Sequence, residues 1–295
     1  KTSSSVKRST MLMKLLLSGL VVVFSATSFA AEFEVQFVLA STAELDNPHD
    51  LKLAPDGKYL FVSDVGNNRV VLLNPDTLEF ISSFGSDHQS GTHDVDFGAH
   101  GRAFVADTHN NRIAIYEING TSATFIDQLT ERIRGPEGVL VHPNGNIYVA
   151  GAWSNNVVAF KDGTVVAELS GLSAPHDLEL DHNADIWLAD AGNDRMLLLS
   201  PELEIKRELS GSPYYFSGVR YQDVFRDGTL IVADKNNHQV KFIGLDGTVL
   251  LVLGETTPGK GPMKFATPEG IEISEDNLWI SDSGNDRIVK YEVRR

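Results

Sequence analysis

Three histidines and two glutamates of this chain stand at the same place in a recurring four-residue motif. The motif reads proline or threonine, then a polar residue, then aspartate or glycine, then an aliphatic residue. Its second position holds His49, His93, Glu137, His176 and Glu269. Imidazole nitrogens and carboxylate oxygens bind zinc, and three protein ligands leave one position for water. These residues predict a divalent-metal site if the fold brings them together. A polar, water-filled pore without a fixed metal is the alternative.

The motif opens six similar segments, which start at residues 48, 92, 136, 175, 216 and 268 of the 295-residue chain. The fifth copy is degenerate and has Ser217 at the second position. Each opening is followed by a tight turn, a β-rich run, a polar turn and another apolar run, a pattern typical of four antiparallel strands. Six such sheets bury both faces when they are arranged radially. The sequence therefore predicts an all-β, six-bladed β-propeller.

The last segment lacks a fourth strand, whereas residues 33–39 alternate like a strand before the first segment. We therefore expect this N-terminal strand to complete blade six and close the ring, which removes two exposed sheet edges. In such a ring His93, His176 and Glu269 lie on alternate blades and approach the central channel about 120° apart, a suitable geometry for an open zinc site. His49 and Glu137 lie between them and either support these ligands or bind the metal themselves.

A second signature follows the β-rich run in most segments. It reads Asp64-x-x-Asn67-Asn68-Arg69 in the first segment and recurs at Asp107, Asp190 and Asp282, with weaker copies near Asp234 and Gly151. Because the residues recur, we interpret them as turn caps and ion pairs between blades rather than as catalytic groups.

Together the two signatures resemble the NHL-repeat family of β-propellers, and the resemblance covers residues 31–295. Within that family the peptidyl-α-hydroxyglycine amidating lyases bind zinc through histidines on three alternate blades. A blade-by-blade alignment places His93, His176 and Glu269 at those positions, which implies a His-His-Glu site. Trp153 stands where these lyases have a catalytic tyrosine, and Gly270 stands where they have a calcium-binding aspartate. Their channel arginine has no clear counterpart in the sequence.

The first 30 residues predict a segment outside the fold. Residues 1–10 read as an upstream segment, with Met11 or Met13 as the start. Lys14 precedes a short apolar run, and small residues follow at Ser28 and Ala30. These features predict a secretory signal peptide cut after Ala30, with a retained membrane anchor as the alternative. We expect residues 31–295 to form one periplasmic or secreted domain, monomeric and without membrane contact.

Composition excludes several classes of function. The chain has 40 acidic and 25 basic residues and a net charge of −15, so we expect no nucleic-acid partner. It has no cysteine, which excludes disulfides, thiolate nucleophiles and Cys-ligated zinc.

Two functions remain open. The first is a binding scaffold with a divalent metal at the channel mouth, either zinc or calcium. Its ligand at the channel mouth would be a protein, a peptide or a small molecule. The second is a metal-dependent lyase or hydrolase related to the amidating lyases, which would use a zinc-bound water.

Overall fold

Alternating aliphatic residues between glycine-, asparagine- and aspartate-rich turns fold into six four-stranded antiparallel sheets. The computed structural model describes residues 33–295 and confirms the predicted all-β, six-bladed propeller. The predicted signal peptide at residues 1–30 lies outside the described residues. Within residues 33–295, no helix is long and apolar enough to cross a membrane.

Blades one to three follow the chain from the innermost strand outward. Blade one consists of β2 (Pro48–Leu53), β3 (Leu60–Asp64), β4 (Arg69–Leu73) and β5 (Phe80–Phe84). Blade two consists of β6 (Thr92–Gly98), β7 (Arg102–Asp107), β8 (Arg112–Asn119) and β9 (Ser122–Leu129). Blade three consists of β10 (Pro136–Val141), β11 (Ile147–Gly151), β12 (Asn156–Lys161) and β13 (Thr164–Ser170).

Blades four and five repeat this order, and blade six combines both ends of the ring. Blade four consists of β14 (Pro175–Leu180), β15 (Ile186–Asp190), β16 (Arg195–Leu199) and β17 (Ile205–Ser210). Blade five consists of β18 (Val219–Val224), β19 (Leu230–Asp234), β20 (Gln239–Ile243) and β21 (Val249–Gly254). Blade six consists of β22 (Pro268–Ser274), β23 (Asn277–Asp282), β24 (Arg287–Arg294) and β1 (Glu34–Ala40).

The hydrophobic core lies between the blades, because the middle strands of each blade are buried on both faces. Leu140 and Tyr148 of blade three, for example, share one core cluster with Leu178 and Leu188 of blade four. The outermost strands alternate between partly buried and exposed residues, as in β13. This burial holds each innermost strand against the central channel.

The N-terminal strand closes the ring as predicted. Strand β1 pairs antiparallel with β24, from Glu34 opposite Arg294 to Ala40 opposite Val289. Phe37 also packs against Tyr291 with a ring-centroid distance of 6.0 Å.

The aspartate of the second signature links strands and loops within its own blade. Asp64 accepts hydrogen bonds from the Asp46 N–H at 2.7 Å and from Arg69 Nε at 2.8 Å. Equivalent ion pairs join Asp107 to Arg112, Asp190 to Arg195, Asp234 to Lys241 and Asp282 to Arg287. The turn-cap interpretation is wrong, because these aspartates bond to side chains such as Asn67 and Arg69 and not to the backbone of the turn that follows them. The ion pairs lie within blades and not between them, because both partners belong to adjacent strands of one sheet.

The residue that ends each turn makes the connection between blades. Asn68, with a φ of 54°, accepts a hydrogen bond at 2.7 Å from the N–H of Gly91 in blade two. Asparagine and aspartate tolerate this left-handed conformation better than most residues. The same acceptor and donor positions repeat around the ring: Asn111 and Gly135, Asn155 and Ala174, Asp194 and Gly218, His238 and Thr267, Asp286 and Asn47. We call these six contacts the inter-blade hydrogen bonds.

Deleting residues 33–39 should lower the melting temperature by about 10 °C or more, because the backbone groups of β24 lose their partner strand. Thermal unfolding followed by circular dichroism measures this effect. A chain that begins at residue 31 and keeps β1 is the control. An unchanged melting temperature after the deletion would refute closure by β1 as a stabilising interaction.

Candidate functional site

A β-bulge at the start of each innermost strand turns two successive side chains towards the channel. Pro48 pairs with Asp64 but Leu51 pairs with Val62, so β2 has one extra residue between these pairs. The other five innermost strands show the same register shift. Bulges re-aim side chains in this way. The first residue of each pair forms what we call the mouth ring: His49, His93, Glu137, His176, Arg220 and Glu269.

The blade-five member of the mouth ring is Arg220 and not the expected Ser217. Val219 pairs with Asp234 as Pro48 pairs with Asp64, so the residue after Val219 occupies the ring position. The degenerate motif of this blade had suggested an alignment three residues too early. Blade five therefore contributes a cation to the mouth ring.

Hydrogen bonds from Nδ1 to the backbone fix the imidazole rings of His93 and His176. His176 Nδ1 donates a hydrogen bond to the carbonyl of Ala174 at 2.8 Å, and His93 Nδ1 donates to the carbonyl of Gly91 at 2.9 Å. Histidines that bind metals usually donate their other ring N–H to such an acceptor, which fixes the ring. Ala174 and Gly91 are also the donors of two of the six inter-blade hydrogen bonds, so the contacts between blades help to fix the imidazoles.

Glu137 lies between these two histidines in the ring and bonds directly to one of them. Its Oε2 is 2.5 Å from His176 Nε2. Although burial alone would raise it, the pKa of the Glu137 carboxyl is far below its usual range because of His176, then His93 and His49. Both nitrogens of His176 face oxygen acceptors, so each needs a proton to form its hydrogen bond. His176 and Glu137 therefore hold one proton more than a neutral imidazole and an ionised carboxylate would, and they share it.

His49 is oriented differently from the other two histidines. Its Nε2 accepts a hydrogen bond from Asn47 Nδ2 at 3.1 Å, and its buried Nδ1 has no hydrogen-bond partner among residues 33–295. Its ring packs edge-on against that of His93 at 4.5 Å. Burial, together with His93, holds the pKa of His49 well below its usual value, and burial also lowers the pKa of His93. Both rings are therefore neutral at neutral pH.

Glu269 is surrounded by cations. It is fully buried and forms ion pairs with Lys235 and with Arg220, whose Nε is 3.2 Å from Oε2. His49 Nε2 is 3.8 Å from the same carboxylate. Arg220 and Lys235 thus balance the charges of Glu137 and Glu269, and the mouth ring has no net charge while its histidines are neutral. Lys235 was not singled out from the sequence, because it lies in a turn and not on an innermost strand.

A column of acidic residues lies in the channel next to the mouth ring. Asp50, Asp94 and Asp177 are the second residues of three of the six bulges, and burial raises the pKa of each. The following layer surrounds Lys52, which forms an ion pair with Glu179. Burial raises the pKa of Asp96 to about 6 and that of Asp223 to about 7.

These acids have a structural role at the free edges of the innermost strands. Asp223 Oδ2 accepts a hydrogen bond at 2.6 Å from the N–H of Ile273 in the next blade, and Asp94 Oδ2 accepts one at 2.6 Å from Val139. Unpaired N–H groups at a buried sheet edge need such acceptors. The column is therefore explained by the fold.

The imidazole nitrogens and carboxylate oxygens of the mouth ring are suitable metal ligands. In this arrangement, however, no group of three or more His, Asp or Glu side chains within residues 33–295 converges as metal ligands do. The 2.5 Å between His176 Nε2 and Glu137 Oε2 is too short to bracket an ion with bonds of about 2.0–2.2 Å. A cation would replace the shared proton and part the two groups by less than about 1 Å. The set of His93, His176, Glu269, His49 and Glu137 stays a prediction, with Glu269 committed to ion pairs.

A cleft with a volume of about 330 Å³ adjoins the mouth ring between blades four and five. Its walls include His176, Arg220, Ser217, Gly218, Asp194 and Asn236. A guanidinium and an imidazole at one end of such a cleft suit a carboxylate-bearing ligand.

The comparisons with solved structures show a propeller fold shared with lyases. Virginiamycin B lyase from Staphylococcus aureus, in a catalytically inactive histidine-to-alanine variant with quinupristin, matches with a TM-score of 0.64 and 16% identity. The match covers 88% of this chain and 99% of that one. A streptogramin B lyase matches with a TM-score of 0.65 and 15% identity, over 89% and 98% of the two chains.

A protein of unknown function from Bacteroides thetaiotaomicron matches with a TM-score of 0.73 and 16% identity, over 89% of this chain and 77% of that one. At these identities the likeness shows the fold alone. No protein-family model and no curated protein matches the sequence. The resemblance to NHL repeats therefore stays a prediction beyond the propeller fold itself.

Neutralisation of Glu269 should lower the stability of the protein more than neutralisation of Glu137. Glu269→Gln leaves Arg220 and Lys235 without their buried counter-charge and should cost about 3–5 kcal/mol of unfolding free energy. Glu137→Gln leaves neither Arg220 nor Lys235 without a counter-charge, so it should cost less than about 2 kcal/mol of unfolding free energy. Urea unfolding of both variants measures the difference. Equal losses would contradict the assignment of Glu269 to the ion pairs.

Asp223 should make stability depend on pH in a specific direction. Its folded-state pKa of about 7 exceeds the unfolded value, so the stability it contributes is present below about pH 4 and is lost as the pH rises through 7. Asp223→Asn abolishes this titration. The variant should therefore be less stable than wild type at pH 5.5, and the difference should narrow by pH 8.5. A difference that does not change with pH in urea unfolding would contradict the raised pKa.

Proposed function

We propose that this protein is an exported ligand-binding propeller whose channel mouth holds a divalent cation through His93, Glu137 and His176. The observation that carries the proposal is the pair of Nδ1 hydrogen bonds to Gly91 and Ala174, because these bonds present both Nε2 atoms as ligands. Glu137 supplies an oxygen between them. Export rests on the signal-peptide pattern of residues 1–30 alone.

The donor set favours zinc over calcium. Two imidazole nitrogens and one carboxylate are a usual set for zinc with one open position, whereas calcium requires six to eight oxygen ligands. Since the mouth ring is otherwise neutral, a bound dication leaves a charge of about +2. A carboxylate ligand would satisfy this charge and the Arg220 guanidinium together, from within the adjoining cleft.

A second candidate, a metal-dependent lyase, is favoured by one further observation. The solved lyases with this fold include one that a histidine-to-alanine change inactivates, and the His176–Glu137 pair is an imidazole held by a carboxylate, as in many general bases. When bound, the cation would stabilise negative charge that develops on a substrate oxygen. His93, Glu137 and His176 would hold the cation next to the substrate, and Arg220 would bind the substrate's carboxylate.

Zinc binding should occur at one site and release about one proton at pH 7, because the ion replaces the proton shared by His176 and Glu137. Isothermal titration calorimetry of chelator-treated protein, in two buffers of different ionisation enthalpy, measures both quantities. The double variant His93→Ala/His176→Ala should not bind zinc, and Glu137→Gln should bind at least about tenfold more weakly.

Two histidines outside the ring provide matched controls. His182 is exposed, and His88 bonds to Tyr116, so His182→Ala and His88→Ala should bind zinc like wild type. If zinc, calcium and manganese all fail to bind wild type, the metal site does not exist. If Glu269→Gln loses zinc while Glu137→Gln retains it, the ligand set proposed here is wrong.

The lyase candidate has its own assay. Zinc-loaded protein is incubated with quinupristin and, separately, with α-hydroxyhippurate, and loss of each compound is followed by liquid chromatography. Turnover that disappears in Glu137→Gln but not in His182→Ala would establish the enzyme. Zinc binding without turnover of either compound leaves the binding function as the better description.

A further inference from the structure

A tryptophan is exposed beside the mouth ring. Trp153 lies in the turn between β11 and β12 and is 50% exposed, whereas the other two tryptophans, Trp187 and Trp279, are 7% and 2% exposed. The exposed part of this side chain does not contribute to the stability of the hydrophobic core. Its position on the face that carries the mouth ring therefore calls for an explanation.

Trp153 is held in a fixed orientation. A Cβ atom at Gly135 would lie 2.2 Å from Trp153 Cδ2, so the indole rests directly on the Gly135 backbone, where no larger residue fits. Its ring stacks on His109 with a centroid distance of 5.6 Å and an interplanar angle of 24°. The His109 ring rests in turn on Gly91, where a Cβ atom would lie 2.9 Å from Nδ1. We call Trp153 and His109 the aromatic platform.

The aromatic platform is continuous with the proposed metal site. Gly91 accepts the Nδ1 hydrogen bond of His93, and Gly135 is two residues before Glu137. Thr108, the neighbour of His109, accepts a hydrogen bond from His93 Nδ1 at 2.7 Å and donates one to the carbonyl of Pro136 at 2.6 Å. The platform thus lies against the backbone that positions His93 and Glu137.

We propose that the aromatic platform stacks against a flat ring of the ligand whose carboxylate or other metal-binding group occupies the mouth ring. The ligand class is a small acid that carries an aromatic ring. Because the indole is already fixed, it loses little conformational entropy when a ligand ring stacks on it. Aromatic rings pack against each other in offset or edge-to-face arrangements. This inference rests on the proposed function, because it assumes that the other end of the ligand binds at the metal.

Hydroxamates provide suitable probes because they bind zinc whatever the natural ligand is. Zinc-loaded protein is titrated with acetohydroxamate and with phenyl-terminated hydroxamates that have one, two or three methylene groups. For at least one chain length, the phenyl ring should increase affinity about two- to tenfold over acetohydroxamate. The same compound should protect tryptophan fluorescence from acrylamide, because Trp153 is the exposed tryptophan.

Substitutions at Trp153 separate stacking from a merely structural role. Trp153→Phe should keep most of the phenyl gain, whereas Trp153→Leu and Trp153→Ala should lose it without any change in acetohydroxamate affinity. Leu245→Ala, in an exposed turn at the other end of the blades, is the control and should keep the gain.

The outcomes distinguish this inference from the proposed function. If wild type cannot be loaded with zinc, the metal site is refuted and the platform proposal with it. If the protein binds zinc but no hydroxamate, the platform proposal is overturned and the metal site stands. If the phenyl compounds bind no better than acetohydroxamate, or if their gain survives in Trp153→Leu, the platform proposal alone is overturned and the metal site stands.

Discussion

The site depends on the ring of six inter-blade hydrogen bonds that runs around the channel mouth. Each bond joins the left-handed residue at the end of one blade's turn to the backbone N–H just before the next blade's innermost strand, as Asn68 joins Gly91. Two of the residues held in this way, Gly91 and Ala174, accept the Nδ1 hydrogen bonds of His93 and His176 at their carbonyl oxygens. The contact that sets the spacing of the blades therefore also sets the tautomer of the two imidazoles. A propeller is suited to such a site because, in a closed ring, one blade cannot move without displacing its neighbours. The residues that the blades contribute to the site therefore keep their relative positions.

Charge is organised by depth in the channel. At the mouth, Arg220 and Lys235 balance the charges of Glu137 and Glu269, and the rings of His49 and His93 are neutral. Deeper in the channel, carboxylates accept N–H groups from neighbouring blades, and burial raises the pKa values of Asp96 and Asp223. The acids of the column hold the innermost strands together, whereas the mouth retains side chains whose hydrogen bonds leave room for a ligand.

The fold could be predicted from the sequence because its strand pattern is repeated. Six copies of one strand pattern predict the blades, and the alternation over residues 33–39 predicts closure by β1. The mouth ring was predicted at five of six positions because the motif fixes the place of the bulge. Arg220 was missed because blade five has lost the proline, although counting back from Asp234 would have found it. The hydrogen-bond partners of the three histidines lie only two residues earlier in the chain, at Asn47, Gly91 and Ala174. The contact of Glu137 with His176 and the cations around Glu269 join different blades, which no local pattern specifies.

The most direct test of the account is a crystal structure of the zinc-loaded protein with anomalous diffraction recorded on both sides of the zinc absorption edge. The account predicts one strong peak at about 2.0–2.2 Å from His93 Nε2, His176 Nε2 and a carboxylate oxygen of Glu137, with Glu269 still paired to Arg220 and Lys235. A peak bound by His49 and Glu269, or no peak at the mouth ring, would contradict it.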